Sequence, residues 1–250
     1  MNRPYLLSCF YNQSNLRKLP FMPTPTLSDL ETLARGAGEI LREGYGKSHN
    51  IQQKTTAIDL VTEMDHRSEA YLISAIQSRF PGHRIMAEEN GETAGQDGHL
   101  WYIDPLDGTV NYAHHIPVFC VSIAYARQGK VALGVIYDPL RDECFSAELG
   151  RGAFLNGQSI ASASAGTLEN ALLATGFPYD VHHTHTNLEL FSRFVTQAQG
   201  IRRLGSAALD CCYVACGRLD GYWELVVAPW DIAAGALIAA GAEARRRSSE

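Results

Sequence analysis

Residues 101–112 read WYIDPLDGTVNY, and this stretch ends an apolar run with two aspartates three positions apart. Asp104 and Asp107 have two interpretations at such a point in the chain. Aspartate caps helices and Asp-Gly marks turns, so the pair can mark the change from a strand to a helix. The same two carboxylates can also bind a cation together. In isolation the motif fits both interpretations equally well, and the rest of the sequence has to decide between them.

Pro105 gives the cation interpretation a geometric basis. Proline fixes its own φ and pushes the preceding residue, here Asp104, into an extended conformation. The chain then turns sharply between the two carboxylates, so that both side chains and the carbonyl of Leu106 can face one point. Carboxylate and carbonyl oxygens suit a hard cation such as Mg²⁺ rather than zinc. Gly108 and Thr109 then begin a short helix, whose free N–H groups suit a phosphate.

The same proline excludes a second phosphatase pattern. Haloacid-dehalogenase-type phosphatases use a strand followed by D-x-D-G-T, with the nucleophilic aspartate two residues before the second aspartate. In this chain that position is Pro105, which has no nucleophilic side chain. The spacing therefore excludes that superfamily.

Length and composition are those of an ordinary globular protein. The chain has 250 residues, of which 46% are hydrophobic and 19% charged, enough for one large domain or two joined lobes. Its net charge of −6 provides no basic surface for nucleic acid, and no apolar stretch is long enough to span a bilayer. Its six cysteines form neither C-x-x-C pairs nor a zinc-ligand spacing, which favours free thiols in a reducing cytoplasm.

Two helices are predicted in the first part of the chain, after a weakly patterned extension over residues 1–25. Ser28 and Glu31 form a capping box for a helix that runs through LETLARGAGEILREG. Thr62 and Asp65 open a second helix, and a short strand or hairpin is predicted between the two helices.

The later part of the chain predicts a β-meander followed by alternating strands and helices. Residues 118–155 contain β-rich runs, two of them joined by a Gln-Gly turn. The alternation of strands and helices that follows favours a layered α/β architecture. We expect a single domain over residues 26–242, with lobes at about 26–160 and 161–242, and a polar tail over residues 243–250.

Two further acidic positions weaken the interpretation of Asp104 and Asp107 as turn residues alone. The stretch AEEN ends a predicted strand with Glu88 and Glu89, and side-chain alternation along a strand lets one of these two face a given site. The stretch APWDIAAGA places Asp231 at another helix start, where N-capping is a good explanation by itself. Capping does not explain why all three acidic clusters occur in one chain.

Taken together, these motifs resemble the inositol monophosphatase family of Mg²⁺-dependent enzymes with the sugar-phosphatase fold. The resemblance rests on AEEN, WYIDPLDGTVNY and PWDIAAGA, in this order and at these separations. DLVTEMD is similar to the family's upstream segment, and LGSAALDCCYVACGRLDGYWE is similar to its substrate-side helix. The similarity extends from about Leu27 to Ala242. It implies an α/β fold of the αβαβα sandwich type.

The resemblance also implies roles for individual residues. The implied metal ligands are Glu88, Asp104, the carbonyl of Leu106, Asp107 and Asp231. The implied catalytic residues are Asp59 and Thr109, which would orient the attacking water, together with Glu88 and Lys54. The implied substrate-binding residues are Gly108 and Thr109 at the phosphate, and Gly205, Ala207, Glu224 and Asp231.

The expected reaction follows from the same resemblance. Hydrolysis of a phosphate monoester needs a large electrostatic contribution, and two cations about 3.5–4 Å apart can clamp the attacking and leaving oxygens. We expect a cytoplasmic, Mg²⁺-dependent homodimer that hydrolyses inositol monophosphate and binds neither nucleic acid nor membrane. Histidinol phosphate, fructose 1,6-bisphosphate and 3′-phosphoadenosine nucleotides stay open as substrates within the family. A regulatory binding protein on the same fold is the alternative from another functional class.

The chain departs from the family pattern in a few places. Val110 stands where a second threonine is common, and Ala228 replaces a common polar residue before the Trp-Asp pair. The resemblance stops near Ala242, where EARRRSSE replaces an expected further strand. We therefore expect a family member that lacks its carboxyl-terminal strand segment, and Met22 is an alternative start.

Overall fold

The computed structural model describes residues 23–47, 51–53 and 60–249. Its helices are α1 Leu27–Gly44, α2 Glu63–Arg79, α3 Thr109–Ala113, α4 Val181–Thr184, α5 Leu188–Val195, α6 Ala207–Ala215 and α7 Pro229–Ser249. Its strands are β1 Ile51–Gln53, β2 Leu60–Thr62, β3 Arg84–Ala87, β4 Gly91–Thr93, β5 His99–Asp107, β6 Cys120–Arg127, β7 Lys130–Asp138, β8 Glu143–Glu148, β9 Gly152–Leu155, β10 Gln158–Ile160, β11 Leu172–Thr175, β12 Gly200–Arg202 and β13 Gly221–Trp223.

Helix α1 begins two residues before the predicted capping box. Thr26, not Ser28, is the N-cap: its hydroxyl accepts the Asp29 N–H at 3.3 Å, and the Asp29 carboxylate accepts the Thr26 N–H at 2.8 Å. The earlier start adds Leu27 to the helix, one turn before the buried Leu30, and both pack into the same core. The predicted capping box of α2, made by Thr62 and Asp65, is confirmed.

An eight-stranded sheet forms the centre of the molecule, in the order β10-β9-β8-β7-β6-β5-β3-β4. Its strands pair antiparallel except for β3 and β5, which pair parallel. The predicted Gln-Gly turn joins β6 to β7 through Gln128 and Gly129, whose φ values of 50° and 76° match the hairpin turns that favour antiparallel pairing. Before α2 the sequence predicted a short strand or a hairpin, and the structure contains an antiparallel pair of strands there, β1 and β2.

Strand β5 continues through the two aspartates instead of ending before them. Asp104 pairs with Ser122 of β6 and Asp107 pairs with Cys120, so Pro105 and Leu106 together face a single residue of β6. This is a β-bulge, a place where a sheet tolerates a proline and the strand bends. The bulge, rather than a strand end, therefore produces the sharp turn that the proline predicts.

Helices cover both faces of this sheet. The core of one face is built from α1, α2 and the sheet, with Leu33, Leu72 and Trp101 all fully or almost fully buried. The core of the other face contains Leu209 of α6 and Ile238 of α7. A second sheet of three parallel strands, in the order β12-β11-β13, packs on α6, and α5 packs against it in turn. The layers therefore follow the order αβαβα, the sandwich that the resemblance implies: α1 and α2, the large sheet, α6 and α7, the small sheet, and α5.

The carboxyl-terminal helix is longer than expected. Helix α7 continues through Ser249, so residues 243–249 are helical rather than a tail outside the fold. Glu243 explains part of this extension, because its carboxylate accepts hydrogen bonds from Ser162 and from Arg246 one turn later. None of the helices in the described residues combines the length and the apolarity needed to cross a bilayer.

Candidate active site

The motifs that are far apart in the sequence meet around one large cavity. This cavity has a volume of about 950 Å³ and lies where the bulge of β5, the start of α6 and the start of α7 come together. Its lining includes every described residue predicted for the site, namely Glu88, Asp104, Leu106, Asp107, Gly108, Thr109, Gly205, Ala207, Glu224 and Asp231. Lys54 and Asp59 lie outside the described residues. The two departures from the family pattern, Val110 and Ala228, also line this cavity.

Asp104 is a deeply buried acidic residue of the cavity wall. Its side chain is 2% exposed, and one carboxylate oxygen accepts the Leu106 N–H at 3.0 Å across the bulge. Burial raises the pKa of Asp104 well above its ordinary value, and the charges of Glu88, Asp107 and Asp231 raise it further.

Asp107 is held by the first turn of α6. Its carboxylate accepts the Ser206 hydroxyl at 2.5 Å and the N–H groups of Ala207 and Ala208 at 3.3 and 2.8 Å. A helix start suits a negative charge, because its first N–H groups have no partner within the helix. Burial raises the pKa of Asp107 to about 6, although the hydrogen bonds from Ser206 and Ala208 lower it.

The hydroxyl of Thr109 is oriented by a residue that the sequence predicted only as a helix cap. The Thr109 hydroxyl lies 2.9 Å from a carboxylate oxygen of Asp65 and 3.0 Å from the carbonyl oxygen of Leu106. The other oxygen of Asp65 accepts the N–H and the hydroxyl of Thr62 in the capping box. Asp65 therefore fixes the start of α2 and the direction of the Thr109 hydroxyl at the same time.

Glu88 lies in a turn, and not on the strand where the alternation argument placed it. Strand β3 ends at Ala87, and the next residues form a turn before β4. The buried carboxylate of Glu69 holds this turn, because it accepts the N–H groups of Glu89 and Asn90, each at 2.9 Å. Of the two adjacent glutamates, only Glu88 lines the cavity.

Asp231 lies at the third position of α7, not at its N-cap. Its carboxylate accepts the Ala228 N–H at 2.7 Å just before the helix, where Pro229 occupies the first helical position. The residue also lines the cavity. Burial raises the pKa of Asp231 to about 7, and the charges of Asp107 and Glu88 add to this effect.

The donor set fits a hard divalent cation. The charge of Glu88 contributes to the raised pKa values of Asp104, Asp107 and Asp231, and burial without a counter-charge is costly for such a group. In the described residues, no three His, Cys, Asp or Glu side chains already enclose one metal position. The carboxylates of Asp107 and Asp231 instead accept N–H groups at helix starts.

The opposite side of the cavity is built around Glu224. Its carboxylate accepts the Tyr222 hydroxyl at 2.6 Å, and a Cβ atom at Gly176 would lie 2.0 Å from it, so it packs directly on that glycine backbone. Burial raises the pKa of Glu224. Gly205 has φ +82° and touches the amide of Asn111, which donates to the carbonyl of Leu204 at 2.8 Å. Asn111 thus connects α3 to the segment before α6.

Three residues that hold parts of the cavity wall in place had no sequence signal that separated them from other structural residues. Asp65 and Glu69 lie within an ordinary amphipathic helix, and Asn111 follows the motif without a recognised role. They hold these parts through partners 20 to 93 residues away in the sequence. Pairing of this kind is visible only in the folded chain.

Comparison with known proteins gives a consistent result. The model of the inositol monophosphatase family matches residues 23–245. Inositol-1-monophosphatase of Synechocystis sp. is 45% identical over 225 residues, which cover 86% of this chain and 78% of that protein. Nus factor SuhB of Escherichia coli K12 is 40% identical over 217 residues, which cover 86% of this chain and 81% of that protein.

Solved structures agree with the sequence comparison. The extragenic suppressor protein suhB from Bartonella henselae has a TM-score of 0.82 and 39% identity, with 86% of this chain and 84% of that chain covered. Inositol monophosphatase from Anabaena has a TM-score of 0.77 and 43% identity, with 86% and 81% covered. The chain therefore belongs to the inositol monophosphatase family, a family of metal-dependent phosphatases.

Proposed function

We propose that this protein hydrolyses inositol monophosphate to inositol and phosphate with Mg²⁺ as its cofactor. The observation that carries the proposal is the meeting of three separate acidic motifs and a helix start around one cavity. The name of the Synechocystis relative, inositol-1-monophosphatase, supports this choice among phosphate monoesters. The family already implies a phosphate ester, and the proposal adds that the alcohol part of the substrate is inositol.

The chain's own residues have distinct roles at the phosphate. The first N–H groups of α3, after Gly108, would hold phosphate oxygens. A side chain at Gly108 would be strained, since its φ is +98° and an added Cβ would lie 2.9 Å from the Val118 carbonyl oxygen. Asp65 holds the Thr109 hydroxyl, which would orient the attacking water together with Asp59. Because the hydroxyl is held in place beforehand, the water is positioned without a further loss of freedom.

The carboxylates of Glu88, Asp104, Asp107 and Asp231, with the Leu106 carbonyl, would hold the metal. When bound, Mg²⁺ supplies positive charge that stabilises the attacking and leaving oxygens of an in-line displacement. Glu224 would accept hydrogen bonds from hydroxyls of the alcohol. Gly205 and Ala207, which also line the cavity, would contact the same part of the substrate. No covalent intermediate with the protein is needed for this reaction.

A panel of phosphate esters tests the proposed substrate. Phosphate release would be measured for inositol 1-phosphate, histidinol phosphate, fructose 1,6-bisphosphate and a 3′-phosphoadenosine nucleotide, each with Mg²⁺ and with a chelator. We expect the highest kcat/KM for inositol 1-phosphate, loss of activity in the chelator, recovery with Mg²⁺, and poor replacement by Zn²⁺. A higher kcat/KM for another ester would replace the substrate, and full activity in the chelator would exclude the metal mechanism.

A second candidate function comes from the relatives named Nus factor SuhB, which are 40–42% identical to this chain. We propose that this chain also acts as a Nus factor, as the name of these relatives states, and that this role does not depend on hydrolysis. The test is complementation of an Escherichia coli strain that lacks its SuhB. Rescue by both the wild type and Asp104→Asn would favour this role, whereas failure of both would exclude it.

The cellular location, the oligomeric state and the partners of the protein are proposed as well. We propose a cytoplasmic homodimer without nucleic-acid or membrane partners, by the family resemblance and because the net charge is −6. Light scattering after size exclusion gives the mass directly. A mass of one chain, about 27 kDa, would exclude the dimer at the concentration used.

A further inference from the structure

Asp210 is a buried acid in the cavity wall that has no role in the proposed reaction so far. It lies in the first turn of α6, and the residue is 2% exposed. One of its carboxylate oxygens is fully buried and accepts no hydrogen bond from any group in the described residues. The residue nevertheless lines the same cavity as the acidic motifs.

A buried polar atom without a partner requires an explanation, because nearly all such atoms in folded proteins are hydrogen-bonded. Asp210 does not contribute to the fold through its free oxygen, since no described donor reaches it. Because Asp210 lines the cavity, a ligand bound there is the candidate donor. An atom of this kind is expected where a ligand completes the hydrogen bonding.

The position of Asp210 indicates which part of a ligand it would meet. Asp107 accepts hydrogen bonds from Ser206 and Ala208 at the start of α6, and so marks the metal and phosphate end of this helix. Glu224 marks the other side, and its charge contributes to the environment of Asp210. Asp210 therefore lies on the wall between the phosphate end and the alcohol side.

The chemistry of this wall favours hydroxyl groups. Two carboxyl groups, Asp210 and Glu224, face the cavity there, and either one can accept the O–H of an alcohol. A second phosphate placed on this wall would be repelled by them. Burial, followed by the charges of Asp107 and Glu224, raises the pKa of Asp210 to about 8, so this carboxyl can also exist in a neutral form that donates.

We propose that Asp210 is a specificity-determining residue that hydrogen-bonds a hydroxyl of the alcohol half of the substrate, next to the hydroxyl held by Glu224. The preferred substrates would then be phosphate monoesters of alcohols that carry several hydroxyl groups. This inference rests on the proposed phosphatase function and specifies the substrate class of the same cavity.

The decisive variant is Asp210→Leu. Leucine has a similar volume and no polar atoms, so it removes an unpartnered buried carboxyl, and the melting temperature is expected to stay equal or to rise. For inositol 1-phosphate we expect kcat/KM to fall about 10- to 100-fold, mainly through KM, because one hydrogen bond to a carboxyl is lost. For p-nitrophenyl phosphate, which has no hydroxyl groups to offer, kcat/KM should change less than about twofold. Asp210→Asn, which keeps an acceptor oxygen, should recover most of the loss.

Each other outcome counts against the inference. Equal losses for both substrates, together with a lower melting temperature, would show a structural role for Asp210. An unchanged kcat/KM for inositol 1-phosphate would show that Asp210 does not meet the substrate. If instead Asp210→Leu impaired only phosphoethanolamine hydrolysis, the ligand group would be an ammonium rather than a hydroxyl. The proposed function fails separately, namely when the wild-type protein hydrolyses none of the phosphate esters with Mg²⁺ present.

Discussion

At the scale of single residues, the adjacent glutamates of the turn after β3 provide a matched pair. Glu88 lines the cavity, while the Glu89 N–H is bonded by Glu69 and its side chain is not part of the cavity wall. Glu88→Gln removes one carboxylate charge from the proposed metal site, so phosphate release should fall by about two orders of magnitude or more. Glu89→Gln should lower it less than about threefold. Comparable losses in the two variants would contradict the assignment of Glu88 as the ligand.

A second prediction at this scale concerns His83, which lies in a buried aromatic cluster and does not line the cavity. Its ring accepts the Trp101 indole N–H at 3.0 Å and stacks on His99 at a centroid distance of 4.3 Å. Burial, and then the charge of His99, lower the pKa of His83 to about 4 from 6.5. Protonation would also remove the acceptor that Trp101 uses.

The sign of the pH effect follows from this shift. The unfolded chain binds a proton at His83 near pH 6.5 and the folded chain only near pH 4, so this contribution to stability is lost as pH falls from 6.5 to 4. Between pH 7 and pH 5 the loss is on the order of 2 kcal/mol. His83→Gln keeps an acceptor for Trp101 and cannot titrate, so its free energy of unfolding should fall less over this range. The exposed His114→Gln is the control, and an equal fall in both variants would refute the argument.

The residues of the site were predictable to the extent that each belonged to a local motif. Asp104, Asp107 and Asp231 each stand beside a proline, glycine or tryptophan that makes the local pattern distinctive. Asp65 and Asp210 were missed as site residues, because one looks like a cap and the other like an interior helix position. Only long-range contacts, or their absence, distinguish such residues from structural ones.

At the scale of elements, helix α2 and the turn after β3 act together. The carboxylate of Glu69 on α2 accepts two backbone N–H groups and the Asn90 amide, and this fixes the turn that carries Glu88. Glu69 is completely buried, so no water replaces a lost bond. Helix α2 therefore positions the turn that carries Glu88 in the cavity wall.

Replacing Glu69 by glutamine should disturb this turn without removing a proposed ligand. The new amide would point N–H groups at backbone N–H groups, so we expect a loss of about 1–3 kcal/mol in stability. Because Glu88 would be held less firmly, the Mg²⁺ concentration for half-maximal phosphate release should rise several-fold, with a smaller change in kcat at saturating Mg²⁺. Glu63→Gln, at an exposed position of the same helix, is the control. An unchanged Mg²⁺ dependence would show that the turn does not depend on Glu69.

Elements were predictable where capping and turn residues were unambiguous, and less so where two signals overlapped. The Gln-Gly hairpin and the start of α2 are confirmed. For α1 the sequence predicted Ser28 as the cap, which is wrong: Thr26 caps the helix, and the earlier start places Leu27 against the core. The extent of β5 could not be predicted, because a bulge depends on the register with β6 rather than on β5 alone.

At the scale of the whole molecule, the layered α/β order followed from the alternation of strands and helices. The separation into an eight-stranded and a three-stranded sheet did not follow from it, because strand order is set by packing between distant segments. This arrangement brings the bulge of β5, the start of α6 and the start of α7 to one cavity. The consequence is a concentration of buried negative charge that affects the stability of the entire fold.

That charge leads to a prediction for the metal-free protein. Burial raises the pKa values of Asp107 and Asp231 to about 6 and 7, above the ordinary value of 3.8. The folded chain therefore binds more protons than the unfolded chain between about pH 4 and pH 7, and this contribution to stability is lost as pH rises through that range. His83 acts in the opposite direction but only below pH 6.5, so above that value the carboxylates determine the slope.

In a chelator, the melting temperature should thus fall as pH rises from 6.5 to 8, as the last of these carboxyl groups ionise without a counter-charge. Excess Mg²⁺ at pH 8 should raise it by several degrees, because a ligand that binds only the folded state at about 100 times its Kd adds about 2.7 kcal/mol. Asp104→Asn removes one of the four charges, so both the pH slope in chelator and the gain with Mg²⁺ should be smaller. A melting temperature that rises with pH in chelator and does not respond to Mg²⁺ would mean that these carboxylates do not form a shared cation site.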